Sequence, residues 1–242
     1  MRRRRHPEAP PALGGTLLWI ALLAVCTHPF LDWLNTYGVR ALMPFSRRWF
    51  YGDVLFIVDP WIWLFLGAGW WASRHRWARD TPRAGRPARW GLLVAAGYVL
   101  LMGVSGVAAR TVARDALAAR GYAQARVMAG PEPLTPFRRQ IVADVGPGYV
   151  LGTVDWLRRP RFVPDGSLIA KGGAASEVAE AERTPQGRAF VQWARFPFFL
   201  VERGPAGAVV RMVDARYTLD PDARFGALSV PVGALTVPVP AR

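Results

Sequence analysis

The chain is short of the residues from which most catalytic centres are assembled. It has a single cysteine, Cys26, in 242 residues, so no intrachain disulfide can form. It has three histidines, His6, His28 and His75. Neither a P-loop nor a G-x-G-x-x-G is present, which removes the common phosphate cradles. Ser46, Ser73 and Ser105 lack the G-x-S-x-G of a nucleophile elbow. There is no internal repeat. Negative charge is also scarce: 17 Asp and Glu stand against 31 Lys and Arg, for a formal charge of +14.

What is abundant is apolar and aromatic. Hydrophobic residues make up 52% of the chain. Nine of the eleven tryptophans fall in residues 1–90, and Trp concentrates at membrane interfaces. In a soluble protein the positive charge would suggest nucleic acid. Here many arginines flank apolar runs, as topology signals do, and nucleic-acid binding is not expected.

Arg2 to Arg5 form a basic block ahead of a first apolar span at 13–34, interrupted by His28 and Asp32. A signal peptide has a similar layout, and Leu23-Ala24-Val25-Cys26 approaches a lipoprotein cleavage box. Val25 is too large for that box and no A-x-A follows, so a retained helix is expected. Cys26, inside the apolar run, reads as an inert buried thiol. Residues 35–53 read as an interfacial loop or short helices, with Arg40, Arg47 and Arg48 among Phe45, Trp49, Phe50 and Tyr51. Asp59-Pro60 suits a helix start. The apolar run after it is short, and reaches span length only as 54–73, with Asp59 near the interface or buried with a partner. An arginine-rich stretch follows, with Pro82 and Pro87 against a continuous helix. The third span is 90–109, where Gly97, Gly103 and Gly106 are small enough for close helix packing.

The positive-inside rule puts the N-terminal arginines and the 74–89 loop in the cytoplasm. His28, Asp32, Asp53 and Asp59 then meet at the outer face. The expected architecture is a membrane region over 1–110 with three transmembrane helices, then an α+β extracytoplasmic domain over 120–242, in the inner membrane. Alternation reads as strands at Arg139–Val145, Tyr149–Leu157 and Ala208–Tyr217, with one or two more in Phe225–Val239. Thr184-Pro185 reads as a helix start and Pro197 as its end. Gly172 to Ala175 reads as a loop. Asp144 and Asp155 read as solvated strand positions, Asp214 and Arg216 as a structural salt bridge, and Trp193 and Phe196 as core.

His28 and Asp32 share one helix face, and Asn35 would continue it a turn later. An imidazole with carboxylates near a bilayer suggests a metal site, although by spacing alone an H-x-x-x-D pair is more often a hydrogen-bonded structural pair. The segments THPFLDWLNTYG, LMPFSRRWFYGD and FIVDPW resemble the YdjM-like membrane-bound metal-dependent hydrolases, a family distantly similar to zinc-dependent phospholipase C. The likeness is close over residues 19–73 and fainter at QWARFPFF (192–199) and VVRMVDARY (209–217). It implies a divalent metal, zinc, held by His28 and Asp32. Asp53 and Asp59 would then be catalytic, completing the shell or acting as general base on a phosphoester or lipid-like substrate. Family members also carry an earlier half with further spans and further Asp and His, which this chain, opening MRRRRHPEAPPA, is expected to lack. His6 lies in the basic tail and His75 on the opposite side, so His28 is the one histidine available and a histidine-rich cluster is not expected. The alternative is a non-catalytic membrane-anchored extracytoplasmic interaction domain, with membrane lipid as partner in either case.

Overall fold

The computed structural model describes residues 14–233 except 80, 160, 167 and 206. The Arg2–Arg5 block, His6 and the stretch 234–239 expected to extend the last strand lie outside the described residues. Two long helices and a shorter one come first, then two small antiparallel sheets.

α1 spans Gly14–Leu34 and buries only Leu34 against the protein. Cys26 is therefore exposed on α1 rather than buried, because nothing among the described residues packs there. The helix ends one residue before Asn35, whose Oδ1 accepts from the backbone N–H groups of Tyr37 and Gly38. Asn35 thus begins the turn after α1 and does not continue the His28 face. Gly38 turns the chain at φ +84°. After a Val39–Phe50 bridge the chain returns beneath α1, where Gly52 N–H donates to Trp33 O and the Val54 and Leu55 N–H groups donate to Leu34 O. Carbonyls left open by the end of α1 are closed in this way. The segment 35–53 is a loop throughout, without the short helices considered for it.

α2 spans Pro60–Trp77 and starts where Asp59 predicts, with its Oδ1 accepting from Trp61 and Ile62 N–H. Residues 54–59 are not helical, so the span expected from 54 starts at 60 instead and runs to 77. α3 spans Arg86–Ala118, its N-terminal turn held by Ala88 N–H donating to Ser73 Oγ of α2. At 33 residues it is about 50 Å long, well beyond the span expected over 90–109. α1 and α3 are long and apolar enough to cross a membrane; α2, ending in Arg74, His75 and Arg76, falls short on that measure.

α2 and α3 touch through Gly69 and Gly91. A Cβ on Gly91 would lie 2.7 Å from Phe65 O and 3.2 Å from the Gly69 Cα. Gly97 and Gly103, expected to serve this purpose, face open space.

The C-terminal part of α3 leaves the other helices and lies on a sheet. Ala109, Ala113 and Leu117, at four-residue spacing, are fully buried against Val127, Ala129, Ile141 and Val154. That sheet has the order β1 (Arg126–Pro131), β2 (Arg138–Asp144), β3 (Gly148–Asp155), β4 (Phe162–Pro164), with β5 (Ile169–Ala170) also on β3. Its other face, with Met128, Val142 and Tyr149, packs on Phe198 and Val213 of a second sheet and on Phe196 just before it. The second sheet has the order β6 (Pro197–Gly204), β7 (Gly207–Asp214), β8 (Ala227–Val232). Its far face is covered by α4 (Ser176–Arg183) and α5 (Pro185–Trp193) through Val178, Ala181, Phe190, Val210 and Met212. The layers are helix, sheet, sheet, helix, with α3 supplying the first. Thr184 caps α5 by accepting from Gly187 N–H, as Thr184-Pro185 indicates. β1 and β6 are strands that the alternation did not reveal, and Pro197 begins β6 rather than merely ending a helix.

Asp144 and Asp155 are buried, not solvated. Each stands opposite an arginine across an antiparallel pair, Arg126 and Arg138 respectively, at 2.6 and 2.9 Å. Burial disfavours the Asp144 carboxylate, but bonds from Lys171, the Gly146 N–H and Arg126 more than offset it and hold its pKa below the ordinary value.

Two alanine substitutions separate close helix packing from helix propensity. Gly91→Ala should lower the thermal unfolding midpoint in detergent, costing about 1–3 kcal/mol through overpacking. Gly97→Ala, with open space around it, should raise the midpoint, gaining up to about 1 kcal/mol of stability.

Candidate functional site

Three guanidinium groups join the loop between α1 and α2 to the sheets. Arg139 of β2 is fully buried. It donates to Ser105 Oγ (3.3 Å), Asp53 O (3.2 Å), Val54 O (3.1 Å) and Met102 O. Burial pushes its pKa down to about 10, so the group stays charged at physiological pH. Arg195 donates from Nη1 to both Asp53 carboxylate oxygens, each at 3.0 Å, and its backbone N–H reaches Asp214 Oδ2. Arg216, also buried, donates to Asp214 Oδ2 at 2.7 and 3.0 Å, to Thr36 O at 2.9 Å and to Trp193 O at 3.1 Å.

Aromatic rings fill the space between these charges. The Arg195 and Arg216 guanidinium carbons lie 4.6 and 5.3 Å from the centroid of the Tyr51 ring. Burial raises the Tyr51 pKa, against the opposing pull of Arg216 and Arg195. Trp193 stacks on Tyr217 at 5.4 Å. Burial pushes the Tyr217 pKa up to about 12, with Arg216 opposing. Rings against guanidinium faces gain cation–π attraction where water is excluded.

Beside this cluster lies a cavity of about 420 Å³, lined among others by Thr36, Tyr37, Phe56, Gln140, Arg216 and Tyr217. Its walls are mainly aromatic and apolar, with a guanidinium and an amide supplying direction. Such a lining suits a small molecule with an apolar body and an acceptor group.

The four residues singled out from sequence have separate partners. His28 Nε2 and Asp32 Oδ2 are 3.4 Å apart on α1, with side chains 82% and 42% exposed. Asp53 is buried, held at φ +55° and engaged by Arg195. Asp59 caps α2 and accepts from Tyr98 OH at 3.1 Å. Among the described residues no three His, Cys, Asp or Glu side chains gather where they could hold a metal ion. The pair on α1 supplies two donors, fewer than a zinc site uses. Asp214–Arg216 is the structural ion pair expected of it, with both side chains fully buried.

The sequence reading missed Arg139 and Arg195. Arg195 lies in QWARFPFF, which together with VVRMVDARY resembles the same family as the front loop. In the fold those segments place Arg195 and Arg216 against Asp53, Tyr51 and Thr36.

Residues 2–111 match the family model described as YdjM inner membrane protein. The match takes in 110 residues, a little under half of the chain. The YdjM match covers all three helices as far as the start of the sheet-packed end of α3. A relative, the uncharacterized protein YfhP of Bacillus subtilis (strain 168), is 42% identical over 48 residues, which is 19% of this chain and 15% of YfhP. No solved structure matches the chain. The YdjM match and the apolar helices together make this a membrane protein.

Asp53 tests whether this cluster is structural. Asp53→Asn keeps a residue that tolerates positive φ but removes the charge facing Arg195. It should cost about 2 kcal/mol in denaturant unfolding. Asp53→Ala should cost about 1 kcal/mol more, for the strained backbone. Unchanged stability in Asp53→Asn would contradict the structural role.

Proposed function

We propose that this chain is a three-helix inner-membrane protein that displays its two-sheet unit outside the cytoplasm as an anchored binding module. The observation that carries this reading is the engagement of Asp53 and Asp59, the two carboxylates nominated for catalysis. Arg195 holds Asp53, while Asp59 caps α2 and accepts from Tyr98. Asp53 thereby ties the loop after α1 to the sheet unit, and Asp59 ties α2 to α3. The adjoining 420 Å³ cavity is the binding site this reading favours, for a small apolar molecule with an acceptor group. Topology rests on arginine bias. The turn between α2 and α3 carries Arg79 and Arg83, with Arg86 opening α3, whereas the sheets meet the helices away from that turn, near Leu34 and Met102. The chain is then divided into a membrane region to about residue 110 and an outer domain from about 120.

A metal-dependent hydrolase acting on a phosphoester or lipid-like substrate is the second reading. The 3.4 Å His28–Asp32 pair favours it, together with the resemblance noted above. With two donors on α1, remaining ligands would come from another subunit.

Two measurements separate these readings. Alkaline carbonate extraction followed by protease treatment of spheroplasts should leave the chain in membranes and cleave it beyond residue 120 from outside. Cleavage only in inverted vesicles would reverse the topology. Elemental analysis of purified wild type, His28→Ala and Asp32→Ala should show no bound metal in any of the three. Stoichiometric zinc in wild type, lost in both variants, would favour the hydrolase.

A further inference from the structure

The arginine-rich end of the helix pair holds a second cleft, remote from the sheets. Its origin is the Gly69–Gly91 contact, where backbone meets backbone. A Cβ on Gly69 would come 2.9 Å from Pro87 O, so the helices cross without side chains between them. Flanking this crossing is a cleft of about 610 Å³ lined by Phe65, Ala68, Trp90 and Val94, with Arg76 and Arg86.

The distribution of these residues is that of an amphiphile's outline. Arg76 lies in the last turn of α2, and Arg86 opens α3. Phe65 lies eleven residues back along α2, about 16 Å deeper at 1.5 Å per residue. Two guanidinium groups thus border one mouth, and an apolar wall descends from it. Arginine pairs bind phosphate through several parallel N–H donors. The surrounding charge has the same sign: residues 74–89 contain six arginines and one carboxylate, Asp80. Trp90, 65% exposed, stands one helical turn along α3 from Arg86, about 6 Å further from the mouth.

We infer that this cleft seats one anionic diacyl phospholipid from the surrounding leaflet, its phosphate between Arg76 and Arg86 and an acyl chain along Phe65, Ala68 and Val94. Charge complementarity selects the occupant: a zwitterionic lipid gains little from two cations at one mouth, whereas an anionic one is drawn to them. The inference rests on the membrane-embedded reading of α2 and α3. It adds a defined lipid site on the side opposite the sheets.

The test is native mass spectrometry of the full chain released from mild detergent, with phosphatidylglycerol and phosphatidylcholine supplied in equal amounts. Wild type should retain one phosphatidylglycerol with about tenfold preference over phosphatidylcholine. The pair Arg76→Ala/Arg86→Ala should lose that preference. The pair Arg79→Ala/Arg83→Ala, equal in charge removed but outside the cleft lining, should keep it. Val94→Trp leaves every arginine in place and fills the apolar wall. It should lose the bound lipid too, which covers the case in which the arginine variants do not fold. Equal loss in both arginine pairs would overturn the inference in favour of diffuse attraction by the whole basic loop. Equal retention of the two lipids by wild type would reduce the cleft to ordinary boundary lipid and also overturn it. A chain released by alkaline carbonate would remove the membrane reading itself. A chain that stays in membranes but shows no lipid preference removes this inference alone.

Discussion

The structure depends on one buried cation. Arg139 reaches from β2 into the angle between α3 and the loop after α1, and none of its four oxygen partners is a carboxylate. A guanidinium so placed is costly to desolvate, and the carbonyls it meets must be held still to compensate. The Met102 carbonyl is held by α3. The Asp53 and Val54 carbonyls are held because the neighbouring N–H groups of Gly52, Val54 and Leu55 close the end of α1. The helix end, the loop and the sheet are therefore mutually dependent. Loss of the guanidinium would leave oxygens from α3 and the loop without their partner, as well as a hole in the junction.

Arg195 and Arg216 extend the same principle outward. Each pairs with an aspartate and lies against the Tyr51 ring, so charge, ring and carboxylate alternate through the cluster. This arrangement fixes geometry more than it adds stability, since buried ion pairs recover little beyond their desolvation cost. Through it the loop after α1 is joined to the two-sheet unit, and the aromatic-walled cavity adjoins that junction.

Legibility in the sequence followed the range of the interactions. Local signals were readable. Asp59-Pro60 and Thr184-Pro185 mark helix starts because cap and proline act within one turn. The apolar runs of α1 and α3 and the alternation of β2, β3 and β7 were readable because burial imposes period on neighbours. The extension of α3 was hidden by Arg110 and Arg114, which break the apolar run. The buried face there is carried by Ala109, Ala113 and Leu117, too small and sparse to resemble a span. Asp144 and Asp155 were misread because a carboxylate at a strand end is buried only if the opposite strand brings an arginine, and register is not local. The Asp53–Arg195 pair joins residues 142 positions apart, and no spacing rule reaches that far. Family resemblance came nearest, since it marked the segments that prove to be in contact without saying why.

The claim most exposed to refutation is that Arg139 holds the loop and the helices as well as its own strand. Amide hydrogen exchange on wild type and Arg139→Met, in the same detergent, tests it. The account predicts faster exchange in Arg139→Met at Gly52, Val54 and Leu55, more than 80 residues away in sequence, together with β2. Faster exchange confined to β2, with residues 52–55 protected as in wild type, would contradict it.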